Sequence, residues 1–155
     1  MISYNIDESG EVILLEDAVL EHFRRNQQKT AKRLEAGGQI FACFEGNIIR
    51  IKKVTGPRSS DLRTRTSFIP NRYAERREIK KLFKSSLHYI GDWHTHPEPI
   101  PTPSHIDVTN FQEMFQKSKH ELAGFLMIIV GTFPAPEGLF VAIYNATEGY
   151  ELTST

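Results

Sequence analysis

Phe125 to Val130 is an unbroken apolar run between Gly124 and Gly131, which predicts a strand buried on both faces. Residues 139–144 read as its hairpin partner, joined through Phe133, Pro134, Ala135, Pro136, Glu137 and Gly138, and a last short strand falls at 149–153. Earlier in the chain, Val19, Leu20, Phe23, Ala31 and Leu34 share one helical face over 16–34, with a polar gap at 24–30 that marks an exposed middle or a bend. Gly37 and Gly38 are expected to close that helix as C-cap glycines. Residues 39–45 and 47–54 then form a hairpin about Gly46 and Asn47. A short hairpin or a strand is expected from 2–6 and 12–15, around a turn at Glu8, Ser9 and Gly10.

Residues 55–66 carry Gly56, Pro57, Ser59 and Ser60 among arginines and read as an exposed basic loop, followed by a short strand at 67–70. A second helix over 71–87 is expected to turn Tyr73, Ile79, Leu82, Phe83 and Leu87 inward, and the apolar run 87–93 predicts a strand. A third helix starts at Ser104 and runs to about Lys117, with Ile106, Phe111, Met114 and Phe115 inward. Strands and helices alternate irregularly, and hairpins mix with crossovers. The pattern therefore predicts an α/β fold with a mixed, mainly antiparallel sheet and helices on both sides.

At 155 residues the chain has the size of one ordinary domain, 1–155, with a core that needs no disulfide. Lys and Arg balance Asp and Glu at 19 each, so global charge gives no reason to expect nucleic acid or membrane as a partner. Locally the balance breaks: between Arg58 and Lys84 nine basic residues face three acids. A solvated helix face and a partner-binding surface are both readings of that excess. The single cysteine, Cys43, suits a reducing cytosol and is expected to be a buried strand residue rather than a nucleophile. No basic leader precedes a long apolar run, and nothing approaches the ~20 apolar residues of a membrane helix. The expectation is a soluble cytoplasmic protein.

The chemistry concentrates between Tyr89 and Phe111. His94 and His96 stand two apart at the end of an apolar run, so on a strand both imidazoles project from one face. Pro97, Pro99, Pro101 and Pro103 end the strand and stiffen the loop that follows. Ser104 reads as a helix N-cap, which places Asp107 in the first turn. Two imidazoles and one carboxylate are a donor set that zinc accepts, and three protein ligands leave one tetrahedral position open. Trp93 should point to the opposite face, into the core.

His94, His96, Pro97, Ser104 and Asp107 make the string H-x-H-P followed by S-x-x-D, which resembles the signature of the JAMM (JAB1/MPN/Mov34) metalloprotease family. That family also carries an upstream glutamate, usually before a glycine pair, and Glu35 with Gly37 and Gly38 fits. The resemblance implies a JAB/MPN-like fold, Zn2+ held by His94, His96 and Asp107, Glu35 as general base on the zinc-bound water, and Ser104 as donor to the oxyanion. One departure is Ala42 and Cys43, where the family often has glycine; it touches packing more than chemistry. The basic segment at about 55–70 falls where such proteases carry a substrate-contacting insertion.

Glu45, at the far end of its strand, is the rival base, and Glu35 is preferred because a base must reach the water. Ser104 as a plain N-cap and Asp107 as an ordinary first-turn acid are the structural alternatives. Asp92 is a further candidate, as an acceptor orienting a ligand imidazole. His22, His88, His105 and His120 complete the histidines; His105 adjoins Ser104 and is expected to be exposed. Barrel amidohydrolases need more chain, and deaminase-like zinc sites need a cysteine pair that one cysteine cannot supply.

GDWHTHPEP and VTGPRSSD look most like bacterial members of the family encoded in mobile elements and CBASS anti-phage islands. The resemblance implies an isopeptidase that releases a cyclic-oligonucleotide synthase from the protein joined to its C-terminal tail, and that also processes that tail. A protease for a ubiquitin-like or sulfur-carrier C-terminus shares the same site, and a metal-free scaffold of the same fold is the alternative from another class.

Overall fold

Backbone hydrogen bonds join most strands of the chain into one eight-stranded sheet in the computed structural model, which describes residues 1–7, 9–118, 120 and 122–155. In chain order the elements begin with β1 (Ile2–Asn5), β2 (Val12–Leu15), α1 (Asp17–Asn26), β3 (Gly37–Glu45) and β4 (Ile48–Val54). A small ribbon, β5 (Leu62–Arg63) with β6 (Phe68–Ile69), precedes α2 (Arg72–Phe83) and β7 (His88–Thr95). The chain finishes with α3 (His105–Lys117), β8 (Phe125–Val130), β9 (Leu139–Tyr144) and β10 (Gly149–Glu151). The sheet order is β1-β2-β4-β3-β7-β8-β9-β10; β2–β4 and β7–β8 are parallel and the other neighbours antiparallel. The mixed, mainly antiparallel α/β architecture is the expected one.

β8 shows why the fold holds. All six of its side chains are buried, and alternation sends them to opposite faces. Leu126, Ile128 and Val130 join Trp93, Ile40 and Val141 in a core that includes Val19 and Phe23 of α1. Phe125, Met127 and Ile129 meet Phe111 of α3, Phe140 and Tyr144 on the other side. Each such side chain contributes roughly 1.5–3 kcal/mol by leaving water. Helices are therefore needed on both faces, and α1 and α3 supply them.

Several local expectations change. α1 stops at Asn26 rather than continuing to Leu34, because Gln27 turns extended and sends its amide inward to the carbonyls of Gly131 and Phe133, both at 3.1 Å. Gln28 also leaves the helix, and Ala31 and Leu34 end up exposed. Gly37 and Gly38 open β3 instead of closing a helix. On α2, Tyr73 and Phe83 face solvent, Leu82 is buried, and Glu75 occupies an inward position. Ile106 is exposed at the start of α3, whereas Phe111 is buried and Met114 and Phe115 partly so. Cys43 is half-buried, not core. Part of the basic loop forms β5, and its arginines are tied down. Of the expected amino-terminal turn, Glu8 lies outside the described residues, while Gly46 takes the left-handed φ of +60° that its hairpin turn requires.

β3 lies against the strand after it so closely that no side chain fits at Gly38: a Cβ there would sit 1.6 Å from the Thr55 carbonyl oxygen. Gly38→Ala is expected to cost ~3 kcal/mol or more, since backbone rather than a flexible side chain must yield. The shift in the midpoint of urea unfolding measures it.

Candidate metal centre

The β3–β7 register carries the site. Gly37 stands opposite His94 and Gly38 opposite Trp93, so the segment just before β3 emerges beside the imidazoles. Trp93 turns into the core, with its indole N–H donating to the Thr55 carbonyl at 3.0 Å, and His94 and His96 project from the other face. Thr95 between them is fully buried. Its hydroxyl donates to Gln28 Oε1 at 2.6 Å and accepts from the Ala36 amide at 2.9 Å. Gln28 in turn donates to the Arg65 carbonyl. One side chain thus joins the irregular segment after α1, the strand of the histidines and the ribbon.

After β7 the proline loop returns the chain to α3. Ser104 Oγ accepts from the Asp107 amide at 3.0 Å, and the Ser104 amide donates to Asp107 Oδ2, also at 3.0 Å, a reciprocal capping box. That cap fixes the Asp107 carboxylate. Its Oδ2 lies 3.3 Å from His94 Nε2 and 3.2 Å from His96 Nε2, and the two nitrogens are 3.2 Å apart.

This triangle tests whether a metal fits. A tetrahedral ion with bonds of ~2.0–2.1 Å separates its ligand atoms by roughly 3.3 Å, the spacing seen. His96 Nδ1 lies 2.9 Å from Glu98 Oε1, so in the neutral ring Nδ1–H donates to Glu98 and the Nε2 lone pair faces a carboxylate and a second imidazole. Lone pairs and a carboxylate converging on one point call for a cation. Two nitrogens and one oxygen are a set that divalent zinc accepts.

Electrostatics agrees with that reading. Burial would raise Asp107, yet proton-bearing Nε2 atoms of His94 and His96, the form that competes with a metal, and the Ser104 amide hold it far below the usual carboxylate range. Burial works against charge on His96, and its bonds to Asp107 and Glu98 outweigh this, so its pKa rises. Glu35 is half-buried and lines the same cavity of about 170 Å³ as His94 and Asp107. Burial pushes its carboxyl up, against the attraction of His94 and His96 and with the repulsion of Asp107. Its own backbone is pinned by the ribbon, through Glu35 N–H to the Thr64 carbonyl and Arg63 Nε to the Glu35 carbonyl, both 2.8 Å.

The other candidates separate. Glu45 sits at the far end of β3, bonded to Arg50 at 2.8 Å. His105 is exposed beside Ser104. Asp92 does not orient a ligand ring; it accepts from Tyr89 Oη at 2.8 Å, deeper in the cavity near Glu75. The carboxylate that orients a histidine is Glu98, which stands in the sequence as H-x-H-x-E but is not among the residues expected above. Gln28 and Thr95 were also missed, and no local signal marks them.

This fold and donor set define a metal-dependent hydrolase. The chain belongs to the family of prokaryotic homologues of the JAB domain, which matches residues 16–144. A CD-NTase/cGAS isopeptidase of Pseudomonas aeruginosa is 28% identical over 134 residues, 84% of either chain. Another of that name, from Escherichia coli, is 28% identical over 68% of this chain and 70% of its own. A probable metalloprotease of Sinorhizobium fredii is 41% identical over 41% of this chain and 42% of its own. The solution structure of a Desulfitobacterium hafniense protein matches with a TM-score of 0.61 at 17% identity, over 90% of this chain and 88% of that one, a likeness of fold. Membership in the family makes this chain a metalloprotease, and the family implies a bound metal. Among the described residues, no helix is long and apolar enough to cross a membrane.

Two predictions follow from the charges around the triad. Glu98→Ala should lower metal affinity ~10–100-fold, as loss of a carboxylate behind a ligand histidine does elsewhere, read by chelator competition. Burial, with the nearby Glu75 charge, pushes the Asp92 carboxyl up to about 7, against the Tyr89 hydrogen bond and Arg72. A folded value above the unfolded one of ~4 favours the neutral acid, so this contribution is complete below pH ~4 and lost as pH rises through 7. In chelator-treated protein, Asp92→Asn should remove a stability slope of at most ~1.4 kcal/mol per pH unit over that window, measured by urea unfolding at several pH values.

Proposed function

We propose that this protein is a zinc-dependent isopeptidase and peptidase that cleaves after the C-terminal residue of a conjugated protein tail. The observation that carries this reading is the convergence of His94 Nε2, His96 Nε2 and Asp107 Oδ2 within 3.3 Å of one another, in a cavity shared with the half-buried Glu35. His94, His96 and Asp107 would hold zinc. When bound, zinc supplies a Lewis acid that polarises a carbonyl and acidifies water.

Glu35 takes a proton from the attacking water and returns it to the leaving amine; its burial-raised carboxyl suits a group that must both accept and release. The Ser104 hydroxyl uses a lone pair on the Asp107 amide, which leaves its proton to donate to the oxygen that gains charge. The reaction is hydrolysis without a covalent intermediate on the protein.

The substrate is a cyclic-oligonucleotide synthase joined through its C-terminal tail to another protein, deconjugated and processed in the cytoplasm during anti-phage defence. The names of the Pseudomonas and Escherichia relatives support this class of substrate. Residues 1–155 act as one JAMM/MPN unit, with the segment at about 55–70 as its basic insertion.

Intact-mass analysis of a fusion joining a bacterial synthase tail to a reporter tests the reading. Wild type should cut after the last native residue of the tail. Glu35→Gln should retain zinc and lose turnover by ~100-fold or more, in the range of a lost general base, whereas His94→Ala or Asp107→Ala should purify without zinc. Full activity of Glu35→Gln would overturn the base assignment. Stoichiometric zinc without cleavage would redirect the substrate to ubiquitin-like or sulfur-carrier tails, and absence of zinc would favour a scaffold.

A further inference from the structure

A groove between α2 and α3 carries a charge pattern that hydrolysis does not use. The two helices turn residues toward it, among them Arg72, Arg76 and Ile79 from α2 and Met114, Lys117 and one acid, Glu113, from α3. Gln39 and Tyr89 also line it, and its volume is about 470 Å³. Arg72, Glu75, Asn110 and Met114 line the metal cavity as well, so groove and cavity form one continuous path.

Six of the nine cations between Arg58 and Lys84 fall into two sets. Arg58, Arg63 and Arg65 are spent within the chain: Arg58 bonds Gln39 and Thr55, Arg63 the carbonyls of Leu34 and Glu35, and Arg65 that of Ala31. Arg72 pairs with Glu75 at 3.0 Å. Arg76 and Lys80, one turn apart, are exposed, as is Lys117 across the groove, and among the described residues none of the three has a carboxylate in salt-bridge range. α2 buries only Glu75 and Leu82, so its outward face is not explained by packing within this chain.

The occupant follows from the charge along the path. A nucleic acid carries phosphates throughout and would crowd them against Glu113 in the groove and against Glu75, paired with Arg72, at its inner end. A polypeptide can set carboxylates against the outer cations and uncharged residues against the inner acids. Resting on the isopeptidase reading above, we propose that the groove seats an acidic stretch of the protein substrate next to the scissile residue, recognised by Arg76 and Lys117 of its lining and by Lys80, one turn beyond Arg76 on the exposed face of α2.

Fluorescence anisotropy with the full, zinc-loaded Glu35→Gln chain tests this without turnover. The probes are a labelled peptide with a run of glutamates ahead of an uncharged tail, its glutamine counterpart, and single-stranded oligothymidine. The acidic peptide should bind about tenfold more tightly than the neutral one at low salt, with the preference shrinking as salt rises. Arg76→Glu/Lys80→Glu should abolish the preference, and Arg76→Ala/Lys80→Ala, which adds no new charge to the helix, should reduce it. Lys52→Glu/Lys53→Glu, the same charge change at exposed positions of β4, should retain it. Equal binding of the two peptides, equal loss in the β4 variant, or tighter binding of oligothymidine would overturn the proposal. Since binding is read apart from cleavage, failure to cut a synthase tail leaves this result standing, and equal peptide binding leaves the hydrolase standing.

Discussion

The pairing of β3 with β7 is the constraint on which the site rests. With Gly37 opposite His94, the chain leading into β3 emerges beside the imidazoles, and Glu35 reaches the cavity from a backbone already held by the ribbon. A shift of one residue would send His94 and His96 into the core and Trp93 out of it. The buried Thr95 hydroxyl guards against that shift, because it must satisfy both Gln28 and the Ala36 amide. Leaving such a group unpaired costs ~1–3 kcal/mol. Rigidity at the ligand strand is thus built from polar bonds in the core as well as from apolar packing.

Much of this was legible where local chemistry dominates. The unbroken run of β8, the Gly46 turn and the Ser104 cap each announce themselves within a few residues, and the histidine pair needs only the strand period to place both rings on one face. What escaped depends on distant partners. Gln27 bonds a carbonyl more than a hundred residues away, and an amide side chain leaves no periodic trace, so the gap at 24–30 read as an exposed middle or a bend rather than as the end of α1, while Ala31 and Leu34 happened to keep helical spacing. The parallel pairing of β2 with β4 is equally silent in a strand pattern that names no neighbour. Tyr73 and Phe83 misled because apolar residues on a lightly packed helix look like a core stripe. Glu98 was overlooked for another reason: a carboxylate two residues past a ligand is visible, but its meaning rests on which ring nitrogen it meets.

The cavity behind the triad has an uneven character. Its mouth holds groups that attract a cation, while its inner wall sets Asp92 and Glu75 beside Tyr89, Met114 and Met127, where burial disfavours ionisation of both acids. Arg72, 3.0 Å from Glu75, and the Tyr89 hydroxyl on Asp92 oppose that trend, so both acids are partnered within this wall.

Asp107 Oδ2 serves two structures at once, since it accepts the Ser104 amide and faces both ring nitrogens. Occupancy of the triad and winding of the first turn of α3 are therefore thermodynamically linked, and the linkage is reciprocal. A cation held by that oxygen damps fraying at the start of the helix, and a frayed start loosens the cation. Deuterium uptake at the Ser104 and Asp107 amides becomes a gauge of metal occupancy, readable without a substrate and without a signal from the metal itself.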